Sequence, residues 1–453
     1  MKNKELEKMY KFLITYCLLF SFSFAQAQTL LRKQWTGMRI QTKDTILIVD
    51  SVVTHSTAFN AGVKQGDILI SVNNHKFLNE QAFYAYMNTL REKESILFTV
   101  KRKNKTKLLN GTTVAKPLIK VDWADVRYDW VVSNTCTLRS ISYLPKNNKK
   151  SHPAIFYIPG YNCGSIESFS NSYMTPLIKK WLDEGIAVYT VEKSGIGDAF
   201  SCEACIDVDL QSDIDLYQSA YDTFSKESWV DQKNIFIWGH SMGGIIAPLL
   251  NQKTAAKGIM VFGTVYRPWS EFLLEMHRIQ KPLLDSLSFE ETEKFIKTIQ
   301  KIYYEYFRLK KSPKELAANP EYKKIVETEL EYKEGNNYMW GRHWRFWQQL
   351  DSIDLAKAWQ QCNSYVLVLH GESDYIQCSA LEPILIKNAV DYLHPNKTTL
   401  KTIASLDHLM MKSKDYEEAI KNLVERAFLY GNFNHQLSLE TTDWVKELIQ
   451  VKQ

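Results

Sequence analysis

Phe236-Ile237-Trp238-Gly239-His240-Ser241-Met242-Gly243-Gly244-Ile245-Ile246 reads as an apolar β-run entering a G-x-S-x-G turn and an apolar helical run leaving it. The small residues have a steric purpose. A serine on a tight strand-to-helix turn is held in a strained backbone conformation, and side chains at Gly239 and Gly243 would collide with the adjoining strand and helix. Ser241 would then project its hydroxyl into a crevice, above the N-terminal dipole of the following helix. A hydroxyl is a poor nucleophile until a base takes its proton, and that base needs a partner to fix its tautomer.

Around this segment, short β-rich runs at 154–158, 186–191, 234–238, 258–265, 364–369 and 398–403 alternate with helical stretches. Such alternation predicts an α/β fold with a mostly parallel sheet covered on both faces. Runs 126–132 and 136–144 read as a hairpin pair ahead of it. Residues 266–358 are rich in Lys, Glu, Leu and aromatics, and predict a helical insertion without a convincing strand.

On its Gly-His-Ser-Met-Gly-Gly elbow, the region 120–430 resembles the α/β-hydrolase superfamily, with its esterases, lipases and serine aminopeptidase-like members. The resemblance implies the chain order nucleophile, acid, base. Val366-Leu367-Val368-Leu369-His370-Gly371-Glu372-Ser373-Asp374 matches the strand and H-G-x-x-D turn of the acid, which makes Asp374 the acid and Glu372 the alternative. His408, in Leu406-Asp407-His408-Leu409 after the last run, stands where the family carries its base. Asp407 is its neighbour and is expected to point elsewhere, while His240 and His370 read as supports of the elbow and the acid turn. An oxyanion hole needs two N–H donors. Met242, after the nucleophile, supplies one, and Tyr161 in Pro159-Gly160-Tyr161-Asn162-Cys163-Gly164-Ser165 is the second, with Asn162 as the alternative.

The same resemblance makes 266–358 a lid. Trp269, Phe272, Trp340, Trp344, Phe346 and Trp347 either line a pocket for an acyl, aryl or sugar-bearing group or pack the lid onto the core. Arg342 and Arg345 either bind a substrate carboxylate or are solvated helix charges. Glu192-Lys193-Ser194-Gly195-Ile196-Gly197-Asp198 resembles the family's D-x-R-G-x-G-x-S turn and lacks the full fingerprint of a dinucleotide cradle. Cys163 and the pair Cys202/Cys205 fall on loops expected at one sheet edge, so a disulfide from Cys163 to one of the pair is one reading and inert buried thiols the other, since sequence does not fix connectivity.

Nearer the N-terminus, residues 46–101 read as strand, turn, strand, helix, strand, with 61–67 as a short helix. Ala61-Gly62-Val63-Lys64-Gln65-Gly66-Asp67-Ile68-Leu69-Ile70-Ser71-Val72-Asn73 resembles the A-G-L-x-x-G-D-x-I-x-x-V-N segment of PDZ domains. That resemblance places a carboxylate-binding loop at Gly37-Met38-Arg39-Ile40 and implies a peptide C-terminus as partner, added as a strand. The alternative is a domain that packs against its neighbour and binds no free peptide.

The chain of 453 residues is 45% apolar, 24% charged and 13% aromatic, which suits a large core and excludes a disordered or collagen-like chain. Its net charge of +5 includes no basic block long enough to track phosphates, so nucleic acid is excluded as a partner. Lys2, Lys4, Lys8 and Lys11 precede an uncharged run of 13 residues, Phe12 to Phe24, and then Ala25-Gln26-Ala27. This is the pattern of an export signal, and the run is too short to span a bilayer, which takes ~20 residues. Of seven cysteines, six remain once Cys17 leaves with the signal. No second Cys pair accompanies Cys202-Glu203-Ala204-Cys205, so neither metal nor cofactor is implied. The expected organisation is a signal over 1–27, a PDZ-like domain over 28–117 and a hydrolase domain over 118–453. The expected activity is that of an exported serine hydrolase cleaving a carboxylic ester through Ser241, His408 and Asp374. Peptidase or aminopeptidase activity and a PDZ-based binding module on a hydrolase scaffold are the alternatives.

Overall fold

The computed structural model describes residues 31–133, 136–167, 172–425 and 431–450. The expected export signal over 1–27 lies outside them. Two compact units divide the chain, Met1–Pro117 and Leu118–Gln453.

The first unit is a five-stranded antiparallel sheet in the order β1-β2-β3-β4-β5, with β1 Met38–Lys43, β2 Ile46–Val52, α1 Thr57–Asn60, β3 Ile68–Val72, α2 Glu80–Met87, β4 Ser95–Arg102 and β5 Lys105–Thr112. The core gathers Ile40, Val49, Val72, Phe83, Phe98 and Val100 between the sheet and α2. Two sequence expectations are corrected. The short helix is α1, started by Ser56, whose hydroxyl accepts from Phe59 N–H, whereas 61–67 is a turn organised by Asp67. The Asp67 carboxylate accepts from Lys64 N–H at 2.9 Å and from the Arg102 guanidinium at 2.6 Å, a bidentate pair that welds the turn to β4. Met38, Arg39 and Ile40 belong to β1 rather than to a loop, because Met38 and Ile40 are buried while Arg39 faces outward, the alternation of a half-buried strand.

The second unit carries an eight-stranded sheet in the order β15-β14-β11-β10-β8-β9-β7-β6. Its members are β6 Asp125–Val132, β7 Thr137–Leu144, β8 His152–Ile158, β9 Ala187–Val191, β10 Val230–His240, β11 Gly258–Phe262, β14 Tyr365–Gly371 and β15 Thr398–Ile403. β6 and β7 run antiparallel to their neighbours, and the other pairings are parallel. Apolar side chains alternate between two cores. Phe156 and Ile237 join one, with α4 Leu210–Phe224 and α5 Met242–Lys253, while Tyr157 and Trp238 join the other, with α3 Thr175–Asp183 and α14 His435–Gln450. A strand segment covered on both faces is apolar along its length, which is why 154–158 of β8 and 235–238 of β10 read as continuous runs.

Between β11 and β14 lies an insertion of α6 Trp269–Leu284, α7 Phe289–Tyr303, a π-helical turn Tyr304–Arg308, α8 Pro313–Ala317, α9 Pro320–Thr328, a hairpin of β12 Tyr338–Met339 and β13 Arg342–His343, α10 Trp344–Asp351 and α11 Leu355–Gln360. The hairpin corrects the all-helical expectation; at two residues per strand it has no sequence periodicity to read. After β14 and β15 come α12 Leu381–Leu393 and α13 Tyr416–Val424. Chain direction across the sheet switches at β8, from which the chain moves to β9 on one side and to β10 on the other. Such a switch opens a crevice at the carboxyl ends of the strands.

Candidate active site

Ser241 stands at that crevice, between β10 and α5, with φ 55° and ψ −122°. Its N–H donates to the Phe262 carbonyl at 2.9 Å, tying the turn to the end of β11. A Cβ on Gly243 would come within 2.1 Å of the Ile158 carbonyl oxygen, and one on Gly239 within 2.5 Å of the Gly243 carbonyl oxygen. Backbone therefore packs on backbone around the serine, and only glycine fits.

Asp374 follows β14 and is fully buried, and His408 follows β15. His408 Nδ1 lies 2.9 Å and 3.1 Å from the two carboxylate oxygens of Asp374, whose Oδ1 also accepts from the Ile376 and Gln377 N–H groups. Burial by itself would raise the Asp374 carboxyl, but the adjacent His408, the hydrogen bond between them and the Gln377 N–H together hold it below the usual value. Ser241 and His408 line one cavity of about 700 Å³, without a hydrogen bond between them among the described contacts. Such bonds are often open in unliganded sites. Glu372, the alternative acid, is exposed and makes no ion pair with His408 among the described contacts. Asp407 turns inward to its own loop, accepting from Leu409 N–H, Met411 N–H and the Ser413 hydroxyl.

The supporting histidines occupy two different networks. His240 Nε2 meets the His408 carbonyl at 2.9 Å. His370 Nδ1 lies 3.0 Å from Gln377 Oε1, and the Gln377 amide donates to the Thr264 carbonyl at 2.7 Å, linking the acid turn to the end of β11. Gln377 carries no sequence signal, since its partners are more than 100 residues away or on its own turn.

Met242 is the first residue of α5 and carries one of the N–H groups that a helix leaves without an internal acceptor. Tyr161 lies on the loop after β8, half-exposed, its ring edge against Trp347 at 5.3 Å. The lid aromatics divide between the two expectations. Trp269, Phe272, Trp340 and Trp347 line the cavity, with Trp269 stacked on Trp347 at 5.7 Å, whereas Phe346 is fully buried and Trp344 faces away. The arginines divide too. Arg345 is exposed, but Arg342 is fully buried and pairs with Asp213 at 2.9 Å, so it is neither solvated nor free to bind a substrate.

Cys163 is bonded to Cys205, and Cys202 to Cys136, so both cysteines of the C-x-x-C segment are used and each reaches a different strand-end loop. Cys362 and Cys378 are buried thiols, the first pushed up to about 11 by burial. Among the described residues no cluster of His, Cys, Asp and Glu could hold a metal ion, and no helix is long and apolar enough to cross a membrane.

In the first unit, β1 is the edge strand onto which a peptide would add. Its outward groups are engaged internally. Ile40 N–H donates to the Tyr84 hydroxyl at 3.2 Å, that hydroxyl meets the Met38 carbonyl at 3.3 Å, and Thr42 N–H donates to Glu80 at 2.6 Å. Both side chains come from α2, so Gly37 stands at the head of an edge already capped. Nothing in the residue pattern marks this, because Tyr84 and Glu80 read as ordinary helix positions.

Comparison with known proteins agrees with this architecture. Residues 163–415 match the family model described as serine aminopeptidase, S33, and residues 36–112 match a PDZ domain. No curated protein matches. Among solved structures, Est1E from Butyrivibrio proteoclasticus is 16% identical with a TM-score of 0.41, covering 72% of this chain and 99% of its own. An esterase of Pyrococcus furiosus is 10% identical with a TM-score of 0.42, covering 74% and 96%. The α/β hydrolase GrgF from Penicillium is 14% identical with a TM-score of 0.41, covering 68% and 99%. At these scores the family assignment rests on the family model alone. The chain belongs to the S33 serine aminopeptidase family of α/β hydrolases and carries a PDZ domain ahead of its hydrolase unit.

Proposed function

We propose that the protein is an exported serine hydrolase that cleaves a carboxylic ester through an acyl-enzyme. The observation that carries this is the buried Asp374–His408 pair at 2.9 Å, opening on the same cavity as Ser241 in its strained turn. Ser241 Oγ attacks the carbonyl carbon while His408 takes its proton, and Asp374 holds Nδ1–H and stabilises the imidazolium. The N–H groups of Met242 and Tyr161 hold the oxyanion. His408 returns the proton to the leaving alcohol, and water then releases the acid. The largely apolar cavity walls suit an uncharged acyl or aryl group.

Amide cleavage is the second reading, favoured by the aminopeptidase description of the family. Export is supported by the basic and apolar N-terminal run and by two disulfides, which persist in oxidising compartments. A peptide C-terminus would reach the PDZ domain only after Tyr84 and Glu80 release β1.

Turnover of p-nitrophenyl esters and aminoacyl p-nitroanilides, with fluorophosphonate labelling, tests the proposal on the chain without residues 1–27. Hydrolysis and labelling should vanish together in Ser241→Ala, and the ester-to-anilide ratio chooses between the two readings. Activity that survives Ser241→Ala would sink both.

A further inference from the structure

Residues 160–162 line the same cavity as Ser241, and the Cβ position of Gly160 lies 3.5 Å from Ser241 Cβ. Their three carbonyls each accept from a buried basic side chain. Lys193 Nζ donates to the Gly160 carbonyl and, at 2.8 Å, to the Asn162 carbonyl. Arg342 Nη1 donates to the Tyr161 carbonyl at 3.0 Å. Both side chains are buried, Lys193 at 4% exposed and Arg342 at 0%, and burial pulls the Lys193 amine down to about 7. Arg342 is itself fixed by Asp213 at 2.9 Å, by the Val208 carbonyl at 3.2 Å and by the Phe346 ring, whose centroid is 4.1 Å away.

The peptide unit is planar and trans, so its C=O and N–H point in opposite directions. A donor that fixes the Gly160 carbonyl fixes the Tyr161 N–H facing away from it, and one that fixes the Tyr161 carbonyl does the same for the Asn162 N–H. Neither N–H meets an acceptor among the described residues. The loop is closed on its far side by the Cys163–Cys205 disulfide and by Glu192, which accepts from the Ser165 hydroxyl and, at 3.1 Å, from Ile166 N–H. Two buried basic side chains from separate elements thus converge on three successive carbonyls of one short loop.

We propose that Lys193 and Arg342 are positioning residues that aim the Tyr161 and Asn162 N–H groups at the oxyanion by holding the carbonyls of residues 160–162 from behind. Lys193 comes from the turn after β9 and Arg342 from the lid hairpin, so the lid supplies part of the hole's framework as well as the cavity's roof. The inference rests on the serine hydrolase reading above.

The test compares wild type, Ser241→Ala, Lys193→Met and Arg342→Lys. Lys193→Met keeps the length of the side chain and removes its donors, while Arg342→Lys keeps a charge for Asp213 and loses the fork that reaches Tyr161. The readouts are kcat and KM per fluorophosphonate-titrated site, using p-nitrophenyl butyrate or alanine p-nitroanilide, whichever turns over faster. They are joined by the affinity of a trifluoromethyl ketone, which forms a charged tetrahedral adduct with serine. A loop-aiming role lowers kcat about 10- to 100-fold, moves KM less than about threefold and weakens the ketone by the same factor as kcat. A merely structural role lowers the melting temperature and the number of titratable sites while kcat per site stays unchanged. That result in either folded variant overturns the assignment for its residue. Should Lys193→Met not fold, Arg342→Lys decides, and should both fail to fold, the two act as structural supports and the inference falls. Wild type that neither turns over nor labels removes the hydrolase reading and this inference with it. Serine-dependent wild-type activity beside unaffected variants removes the inference alone.

Discussion

His240 Nε2 lies 2.9 Å from the backbone carbonyl of His408, so the residue before Ser241 holds the loop that carries His408. A carbonyl can only accept, which puts the proton on Nε2 and leaves Nδ1 bare. Full burial pulls His240 down to about 3 from the ordinary 6.5, with the neighbouring His408 adding to the effect.

That depression has a sign. Between pH 6.5 and 3 the unfolded chain binds a proton on His240 that the folded chain refuses, so stability declines as pH falls through this window. The slope from one such group is at most about 1.4 kcal/mol per pH unit. His277, lowered to about 4 chiefly by burial, acts in the same direction. Urea unfolding of the hydrolase unit at pH 7, 6, 5 and 4 should give a declining stability, and His240→Asn should flatten the decline while weakening the fold at pH 7. An unchanged slope in the variant would refute the assignment.

Asp374→Asn should leave the fold intact and lower kcat about 10⁴-fold, because an amide at that position directs His408 into the wrong tautomer. Glu372→Gln should stay within about twofold of wild type, since Glu372 is exposed and outside the pairing. Equal losses in both variants would mean that the acid has been misassigned.

Gly243→Ala places a methyl group 2.1 Å from the Ile158 carbonyl oxygen, and backbone there cannot yield without separating α5 from β8. The expected loss is about 3 kcal/mol or more, at the upper end of what overpacking costs. Denaturant titration would measure it, and a variant within about 0.5 kcal/mol of wild type would show that the elbow has slack.

Much of this site could be read from the chain because its parts obey local rules. β8 and β10 declare themselves by the apolar runs 154–158 and 235–238, the elbow by glycines that nothing else can replace, and Asp374 and His408 by standing just beyond strand ends. What escaped reading depends on distant partners. Arg342 looks like a surface charge until Asp213, 129 residues earlier, neutralises it in the interior. Lys193 sits in a glycine turn with no sign that its target is a loop 31 to 33 residues before it. The short helix in the PDZ domain was misplaced for a related reason. Ala61-Gly62-Val63-Lys64 has helical composition, but Asp67 binds Lys64 N–H and Arg102 and makes a turn of it, leaving the Ser56 cap to start the helix earlier.

The disulfides predict a chemical pattern. Alkylation of the folded mature protein should modify none of the six cysteines rapidly, and denaturation without reductant should expose only Cys362 and Cys378. Replacing Cys163 and Cys205 together by serine should cost about 4 kcal/mol on the loop-entropy model, for a separation of 42 residues. Differential scanning calorimetry would register it, and an unshifted melting temperature would contradict the bridge.

The capped edge of β1 is testable without any ligand. Tyr84→Phe removes the acceptor of Ile40 N–H, whose hydrogen exchange should accelerate about tenfold or more, while Val49 N–H, bonded to the Asp67 carbonyl, keeps its rate. If Ile40 exchanges as before, the hydroxyl does not cover the edge in solution.

The spacing of Cys202 and Cys205 has a consequence for biogenesis. These two thiols are close enough in sequence to find each other first, and a bond between them would strand both native partners, Cys136 and Cys163, at once. From that state attack of the Cys136 thiolate on Cys202 forms the first native bridge and frees the Cys205 thiol, and a two-electron oxidation of Cys205 with Cys163 forms the second. Both exchange and oxidant are then needed, and where oxidation outpaces exchange Cys136 and Cys163 would pair with each other and leave the chain misbridged.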